Sequence, residues 1–388
     1  MCLIKIGKLV LKTLNEAGYE AYFVGGMVRD QLLNRPIYDI DITTSATPDV
    51  VMSLFEKTIP TGILHGTVTV LIEQIPVEVT TFRQETTYVD YRRPDEVFFT
   101  NSLTEDLKRR DFTMNAIAKD INENVYDPYQ GLDDLSLRCI KAVGNPNERF
   151  EEDPLRMLRA IRFVSKLNFE LHQKTYEAMK TKASLIAHIS KERIKKEMDG
   201  MMSGCSKQVA LQHLIETKLA TFMDGFERLN VYQGYDFKML TQGVDLFILA
   251  ALTADDVNGF LSAWPLSREE KKMVKLVVQL QKNPPHESMI LYRYQAVVFE
   301  KHHALCQFLK QRNEPLTLPE LPIYNRKELA INGALLQKVV GLPSGPWIQQ
   351  VLEQIEEQVI LRRLNNDLKS IEAYIKTMNI GEINEKKK

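Results

Sequence analysis

The spacing of hydrophobic positions changes about a third of the way along this chain. Residues 1–19 carry apolar side chains at helical intervals, and the runs 66–72 and 77–82 then alternate polar and β-branched residues, which favours strands. After about residue 134 this alternation stops and helical spacing dominates, beginning with residues 153–166 and 191–201. The pattern predicts an α+β protein, in which a mixed sheet with its helices is followed by an all-helical remainder.

Length and composition restrict the picture only broadly. A chain of 388 residues allows two to four domains, and proline-containing breaks at residues 283–285, 314–322 and 342–346 divide the helical part. No apolar run approaches the ~20 residues that span a bilayer, the N-terminus lacks a signal-peptide layout, and the four cysteines are scattered. We therefore expect a cytoplasmic protein without a membrane anchor, a disulfide framework or a zinc site.

A glycine turn near the N-terminus is the first candidate for a ligand contact. Gly25-Gly26 follows a short predicted strand and opens a helix that carries Arg29. Glycine lets the backbone approach a phosphate closely, and the first amides of a helix point towards such an anion. A tight turn without any ligand is the plainer interpretation of the two glycines alone.

Two aspartates follow on the next predicted strand, residues 37–43. Alternate side chains of a strand share a face, so Asp39 and Asp41 could converge on a pair of Mg²⁺ ions about 4 Å apart, as in two-metal phosphoryl transfer. Two carboxylates on one face repel each other unless a cation lies between them, which favours a metal site. A solvated strand face without a metal is the alternative interpretation. Glu78, on a neighbouring predicted strand, is a weak candidate for a third carboxylate. The pair predicts metal-dependent chemistry on a nucleotide.

Two arginine-rich segments lie downstream. Residues 109–116 combine two arginines, an aspartate and an asparagine, and a predicted apolar helix then carries Arg156, Arg159 and Arg162 at every third position. Asp153 lies three residues before Arg156, where helical side chains are neighbours. Such a row suits an anion or a base edge, whereas a surface salt-bridge stripe, and a helix cap at Asp153, are the alternatives. The formal net charge of −1 gives no independent sign of nucleic-acid binding.

These segments occur in an order that resembles a known family. The matching motifs are Gly25-Gly26-x-Val28-Arg29-Asp30, Asp39-x-Asp41, Arg109-Arg110-Asp111-Phe112-Thr113-x-Asn115-Ala116, Asp127-Pro128-x-x-Gly131-x-x-Asp134-Leu135, Glu152-Asp153-Pro154-x-Arg156-x-x-Arg159-Ala160-x-Arg162-Phe163 and Glu192-Arg193-Ile194-x-x-Glu197. Together they strongly resemble a bacterial class II CCA-adding enzyme, a tRNA nucleotidyltransferase of the DNA polymerase β-like superfamily. The resemblance covers nearly the whole chain.

The resemblance implies an architecture and a set of site residues. It implies a catalytic head (1–135) with a polymerase β-like fold, a helical neck that recognises the base (136–205), and a body (206–320) and tail (321–388) that bind tRNA. Asp39 and Asp41 would hold Mg²⁺ and carry catalysis. The nucleotide would be bound by residues from both arginine-rich segments and the glycine turn: Gly26, Arg29, Arg110, Asp153, Arg156, Arg159 and Arg162. The implied partners are tRNA, at its acceptor end and elbow, and CTP and ATP as substrates, with the protein a monomer or a homodimer.

Elementary chemistry supports the base-reading assignment. Cytosine and adenine both present an amino donor beside a ring-nitrogen acceptor, which suits a carboxylate beside a guanidinium. Uracil and guanine present a carbonyl and an N–H there, and each unpaired buried polar group costs about 1–3 kcal/mol. One Asp153–Arg156 pair can thus act as a protein template for C and A. The polar loop at residues 84–100 would switch the choice from C to A, as it does in the resembling enzymes.

Three alternative activities stay open at this point. A half-enzyme would add only CC or only A, and a bacterial poly(A) polymerase would share the head and neck motifs. A catalytically inactive RNA-binding protein is the alternative from a different class, although the intact Asp39 and Asp41 argue against it.

Overall fold

The computed structural model describes residues 3–85, 88–89, 93–94, 97–311 and 313–378, and it divides into two compact units, residues 1–265 and 266–388. Within these residues the strands are β1 Ala21–Val24, β2 Asp41–Thr44, β3 Thr58–Gly62, β4 Thr67–Ile72, β5 Ile75–Thr81, β6 Arg83–Glu85, β7 Tyr88–Val89, β8 Arg93–Pro94, β9 Val97–Phe99, β10 Ala118–Lys119, β11 Val125–Tyr126, β12 Cys139–Ile140 and β13 Glu170–Leu171. All of them belong to the first unit.

Helices occur in both units. Those of the first unit are α1 Leu3–Glu16, α2 Gly26–Leu32, α3 Pro48–Leu54, α4 Leu103–Lys108, α5 Gly131–Ser136, α6 Pro146–Glu152, α7 Leu155–Leu167, α8 Gln173–Lys182, α9 Lys191–Met202, α10 Lys207–Glu216, α11 Gly243–Thr253 and α12 Val257–Ser262. Those of the second unit are α13 Arg268–Lys282, α14 Glu287–Phe308, α15 Gly333–Val340, α16 Trp347–Ile360 and α17 Leu368–Thr377. None of the described helices is long and apolar enough to cross a lipid bilayer.

A seven-stranded mixed sheet organises the N-terminal part, in the order β11-β10-β1-β2-β5-β4-β3. β2 and β5 run parallel, whereas the other neighbours are antiparallel. A two-residue turn at Glu73 and Gln74, both with positive φ (50° and 66°), joins β4 to β5, as a type I′ hairpin requires. The mixed sheet followed by helices confirms the predicted α+β class.

The strand that carries the aspartate pair begins later than the sequence predicts. β2 starts at Asp41, which pairs with Glu78 of the parallel strand β5, and Asp39 lies two residues before it. The pairing with β5 therefore fixes Asp41 in the ladder and leaves Asp39 on the segment that leads into it.

Buried apolar side chains of the sheet and hydrogen bonds between the later helices hold the first unit together. Val68, Val70, Val77 and Val79 of the β4–β5 hairpin are buried, as the alternation of that region predicts. Further along, Ser165 of α7 donates a hydrogen bond to the Met201 carbonyl of α9 at 2.6 Å. These two helices form the second wall of the site described below.

The second unit has its own hydrophobic core. Leu336, Ile355 and Ile371 of α15, α16 and α17 are fully buried around Trp347, whose indole Nε1 donates to the Pro343 carbonyl at 2.8 Å. The finer division of the chain into head, neck, body and tail stays a prediction.

Candidate active site

A cavity of about 810 Å³ opens in the first unit, a size usual for small-molecule sites. Eight arginine and three aspartate side chains line it, together with the glycine turn. The predicted site residues found in its wall are Gly26, Arg29, Asp41, Arg110, Asp153, Arg156, Arg159 and Arg162. The fold thus brings together two arginine-rich segments that lie about 40 residues apart in the sequence. Asp39 is exposed and does not line the cavity.

The glycine turn allows the end of β1 to lie directly against charged groups. Gly25 has φ +69°, and a Cβ there would lie 3.0 Å from Arg110 Nη1 and 3.6 Å from Asp41 Oδ2. A side chain would therefore be strained by the backbone angle and crowded by the guanidinium. Gly25 is needed for this close approach, whether or not a phosphate binds beside it, whereas a Cβ at Gly26 would meet Arg29 Nη2 at an ordinary 3.6 Å.

Asp41 is a crowded carboxylate. Burial, followed by the Glu78 carboxylate and then Asp39, raises the pKa of Asp41 to about 6, although Arg110 and Arg29 oppose the shift. Among the described residues, no group of three or more His, Cys, Asp or Glu side chains could hold a metal ion. A cation bound beside Asp41 would relieve the repulsion between carboxylates, and it would need phosphate oxygens to complete its coordination.

Arg29 is buried and fixed from two sides. Its Nε and Nη2 donate to Asp30 Oδ1, both at 2.9 Å, and Nη1 donates to Asn115 Oδ1 at 2.8 Å. Asn115 in turn donates to Asp111 Oδ1 at 2.9 Å, and Asp111 Oδ2 accepts from Arg159 Nη2 at 2.6 Å. This chain of contacts connects the helix after the glycine turn to α7, so the two walls of the cavity are held in register.

Asp111 is the central acceptor of that chain. Burial alone would raise its pKa, but the Arg159 guanidinium and the hydrogen bonds from Asn115, Arg159 and the Phe112 amide lower the pKa to about 2. The carboxylate is therefore ionised at neutral pH, and it fixes Arg159 at the cavity wall.

The arginines of α7 each contact a carboxylate. Arg156 Nη1 donates to Glu152 Oε2 at 2.8 Å and to the Arg149 carbonyl at 3.2 Å, and Arg162 Nε donates to Glu197 Oε2 at 2.5 Å. Their side chains are buried to half-buried, with exposed fractions of 8% for Arg156, 20% for Arg162 and 35% for Arg159. The row is thus a set of preorganised cations facing the cavity, rather than the exposed salt-bridge stripe of the alternative interpretation.

Asp153 does not contact Arg156 in the way that their spacing suggests. Its Oδ1 accepts from the Leu155 amide at 3.1 Å, and its Oδ2 accepts from Arg193 Nη2 at 2.8 Å. α7 begins at Leu155 and its N-cap is Pro154, so the Asp153 carboxylate, one residue further out, accepts the first amide of the helix, and it forms its ion pair with Arg193 of α9 instead of Arg156. Asp153 and Arg156 still share the cavity wall.

Two further charged residues, which the sequence analysis did not assign to the site, contribute to it, although Arg193 belongs to the matching motif Glu192-Arg193-Ile194-x-x-Glu197. Arg193 lines the cavity from the first turn of α9, and Asp106 is a fully buried carboxylate of α4. Asp106 accepts hydrogen bonds from Thr43 Oγ1 at 3.0 Å, Arg109 Nε at 2.9 Å and Arg110 Nη2 at 3.4 Å. Burial would raise the pKa of Asp106, but the Arg109 and Arg110 guanidinium groups hold it below its usual range. The sequence did contain a signal for Asp106: it lies three residues before Arg109 and four before Arg110, where helical side chains are neighbours.

The switching role predicted for the loop at residues 84–100 falls largely outside the described residues. Positions 86–87, 90–92 and 95–96 are not among them, whereas β6 pairs with β9 and β7 pairs with β8. Arg83, at the start of this segment, lines the cavity beside His65, and its backbone amide donates to Asp106.

Three family models match parts of the chain. They are the poly A polymerase head domain at residues 21–141, a probable RNA and SrmB-binding site of polymerase A at residues 168–223, and a putative tRNA nucleotidyltransferase domain 2 at residues 241–375. The head-domain family is described as a poly A polymerase family, so this match alone does not distinguish CCA addition from polyadenylation. Relatives that match over nearly the whole chain do distinguish them.

Full-length relatives and solved structures agree with one another. The CCA-adding enzyme of Listeria innocua is 41% identical over 94% of this chain and 96% of the relative, and that of Staphylococcus aureus (strain Mu3) is 39% identical over 95% and 97%. The crystal structure of the Bacillus stearothermophilus CCA-adding enzyme in complex with CTP is 35% identical, has a TM-score of 0.73, and is matched over 97% of both chains. The Thermotoga maritima CCA-adding enzyme complexed with tRNA has a TM-score of 0.70 at 18% identity, which shows the shared fold, with 97% and 95% covered. The resemblance read from the sequence is confirmed: this chain belongs to the family of CCA-adding enzymes, which are tRNA nucleotidyltransferases.

Proposed function

We propose that this protein adds C, C and A to the 3′ end of tRNA from CTP and ATP, without a nucleic-acid template. The observation that carries the proposal is the cavity, in which a cationic wall, the crowded carboxylate of Asp41 and the side chains of Asp153 and Arg156 face one space. A nucleoside triphosphate supplies what each part lacks: negative charge, oxygen ligands and a base edge.

The triphosphate is bound by the glycine turn and the arginines of the head. Arg110 Nε is buried without a hydrogen-bond partner among the described residues, and Arg29 lies beside the glycine turn. Leaving a buried donor unpaired costs about 1–3 kcal/mol. An anion that accepts a hydrogen bond from Arg110 Nε removes this cost, which favours anion binding in the cavity. Gly26, Arg29 and Arg110 thereby hold the triphosphate and the sugar.

Base choice is assigned to Asp153 and Arg156. Their positions are fixed by other protein groups, Asp153 by the Leu155 amide and Arg156 by Glu152 and backbone carbonyls. A rigid acceptor beside a rigid donor favours the amino group and ring nitrogen of C and A over the reversed pattern of U and G. Arg159 and Arg162 make further nucleotide contacts along the same helix face.

The reaction itself is the in-line attack of the tRNA 3′-hydroxyl on the α-phosphorus, with pyrophosphate as the leaving group. Asp39 and Asp41 would hold Mg²⁺, which would supply a lower pKa for the attacking hydroxyl and stabilisation of the charge on the leaving group. Asp41 lies at the cavity wall and Asp39 on the segment before it, so the second ligand would join the site from its edge. Arg29 and Arg110 stabilise the negative charge that accumulates on the phosphates.

Localisation and partners follow from this activity. A tRNA substrate places the protein in the cytoplasm, and the acceptor end and elbow of tRNA are the regions to be bound by the body and tail. Oligomeric state, monomer or homodimer, stays a prediction.

The test supplies tRNA ending at the discriminator base, at C or at CC, with each NTP singly. We expect C on the first two ends, A on the third, and neither U nor G on any. Addition of a long A tail to arbitrary RNA would indicate a poly(A) polymerase, and failure to extend the CC end with A would indicate a CC-only enzyme. An enzyme that extends only the CC end, with A, would be A-only.

Arg156→Ala tests the template role within that assay. The substitution should reduce the preference for CTP over UTP more than it reduces the rate of single-NTP addition. An equal loss for every nucleotide would contradict the assignment of Arg156 to base choice.

A further inference from the structure

Arg193 is the one cavity residue of α9, and it contacts the proposed base reader directly. Its Nη2 donates to Asp153 Oδ2 at 2.8 Å, while Asp153 Oδ1 accepts from the Leu155 amide at 3.1 Å. Both oxygens of the carboxylate are therefore held, one by α9 and one by the start of α7. A carboxylate with a single contact could turn about its Cβ–Cγ bond, whereas one held at both oxygens keeps its lone pairs in fixed directions.

The other terminal nitrogen of Arg193 is unsatisfied. Nη1 is buried and has no hydrogen-bond partner among the described residues, and the side chain, 27% exposed overall, lines the cavity. Buried donors of this kind are rare in folded proteins because the lost hydration is not repaid. An acceptor on a bound nucleotide would repay it, which an ordinary surface ion pair would not require.

α9 is firmly fixed against α7. A Cβ at Gly200 would lie 2.6 Å from Arg162 Cδ, so glycine is needed for this close packing. Glu197 accepts from Arg162 Nε at 2.5 Å, and the Met201 carbonyl accepts from Ser165 Oγ at 2.6 Å. The guanidinium of Arg193 therefore projects from an element whose position relative to Asp153 is well defined.

We infer that Arg193 is a positioning residue, which fixes the Asp153 carboxylate as an acceptor for the amino group of C and A and so sets discrimination against U and G. The inference rests on the proposed function and adds to it the residue that orients the template. Arg193 acts through Asp153, so its loss should change the choice of base more than the rate of transfer.

The experiment measures kcat/KM for CTP, ATP, UTP and GTP with tRNA ends of defined length, for the intact protein and for Arg193→Ala. We expect the CTP-to-UTP and ATP-to-GTP ratios to fall by about tenfold, as losing one fixed hydrogen bond to a specificity group implies. Arg193→Lys keeps the charge without the planar fork, so it should recover part of the discrimination. Lys196→Ala removes an exposed cation of the same helix and should leave every ratio unchanged.

A double-mutant cycle with Asp153→Ala separates positioning from a merely structural role. If Arg193 acts through Asp153, removing Arg193 in the Asp153→Ala background should cause little additional loss of discrimination. Equal losses for all four NTPs in Arg193→Ala, with unchanged ratios, would overturn the inference. Should Arg193→Ala fail to fold, Arg193→Lys and Arg193→Gln take its place, and unchanged ratios in both would overturn it equally.

The failure of the inference differs from the failure of the proposed function. An intact protein that adds U or G as readily as C or A contradicts CCA addition itself. An intact protein that discriminates, with Arg193 variants that discriminate equally well, contradicts only the role of Arg193.

Discussion

At the scale of single residues, the site is governed by a few buried carboxylates that fix arginines. Asp106 and Asp111 hold the guanidinium groups that line the cavity. Arginine has a long side chain with high rotational freedom, and fixing it before the substrate arrives lowers the entropic cost of binding.

Asp111→Asn should destabilise the protein in a pH-dependent manner. The pKa of Asp111 is about 2 in the folded protein against 3.8 in the unfolded chain, so the ionised form stabilises the fold by about 2 kcal/mol at neutral pH. This contribution is present above pH ~4 and is lost as the pH falls towards 2. Urea unfolding of both proteins at pH 7, 4 and 3 should give a difference that narrows at the lowest pH, and a constant difference would contradict the assignment.

Asp106→Asn should weaken the binding of both substrates alike. It leaves Arg109 and Arg110 without their buried counter-charge, which costs about 3 kcal/mol or more in comparable ion pairs. Because these arginines are not assigned to the base, KM for CTP and for ATP should rise by the same factor, and nucleotide choice should stay unchanged. Glu105→Gln is the matched control, since its carboxylate is half-exposed and contacts Lys108 only at 3.7 Å. A change of base preference in Asp106→Asn would refute this assignment.

At the scale of elements, the cavity depends on how closely α7 and the segment after α9 pack. Gly204 follows α9, and a Cβ there would lie 2.2 Å from Ser165 Oγ and 2.5 Å from the Ser165 carbonyl carbon. The next residues continue this contact, since the Ser206 amide donates to the Ser165 carbonyl at 2.9 Å. The wall that carries the arginine row is therefore fixed by backbone contacts as well as by side chains.

Gly204→Ala should lower the free energy of unfolding by about 1–3 kcal/mol, because the added methyl overlaps backbone atoms that cannot move independently. Gly62→Ala is the control, since a Cβ there would meet its nearest neighbour at an ordinary 3.5 Å. Chemical denaturation of the two variants beside the unmodified protein measures both effects. Equal free energies of unfolding for the two variants and the unmodified protein would show that α7 and the segment after α9 can move apart without a loss of stability.

At the scale of the whole molecule, the two compact units have separate hydrophobic cores. The cavity is built entirely from residues of the first unit, whereas the second unit has a core of its own around Trp347. Damage to that core should therefore leave the nucleotide site intact.

Trp347→Ala should destabilise the second unit by about 3–5 kcal/mol, the usual cost of removing a large buried aromatic side chain. Calorimetry should then resolve an early unfolding transition that the unmodified protein lacks. CTP binding, measured by titration calorimetry below that transition, should be unchanged, whereas addition to tRNA should fall. A parallel loss of CTP affinity would show that the two units are not independent.

The sequence predicted much of the site because local geometry and chemistry coincide there. Most of the predicted residues lie on one short element each: the glycine turn, the strand at Asp41, and the helix that carries Arg156 to Arg162. Spacing within such an element is enough to predict which side chains share a face. The start of β2 was predicted too early, so that Asp39 was placed on the strand. A strand begins where it first pairs with its neighbour, and β2 first pairs with β5 at Asp41, opposite Glu78.

The sequence by itself determined the class of fold, the family and eight of the nine predicted site residues that line the cavity, Asp39 being the exception, since alternation, turn residues and ordered motifs are local properties. Only the tertiary structure decided which charges pair: Asp153 with Arg193 rather than Arg156, Arg159 with Asp111, and Asp106 with two arginines beneath the site. Several arginines and carboxylates of this chain could form many pairs with similar energies. Packing of the sheet, α4, α7 and α9 brings particular pairs within hydrogen-bond distance, and that selection is a property of the folded chain alone.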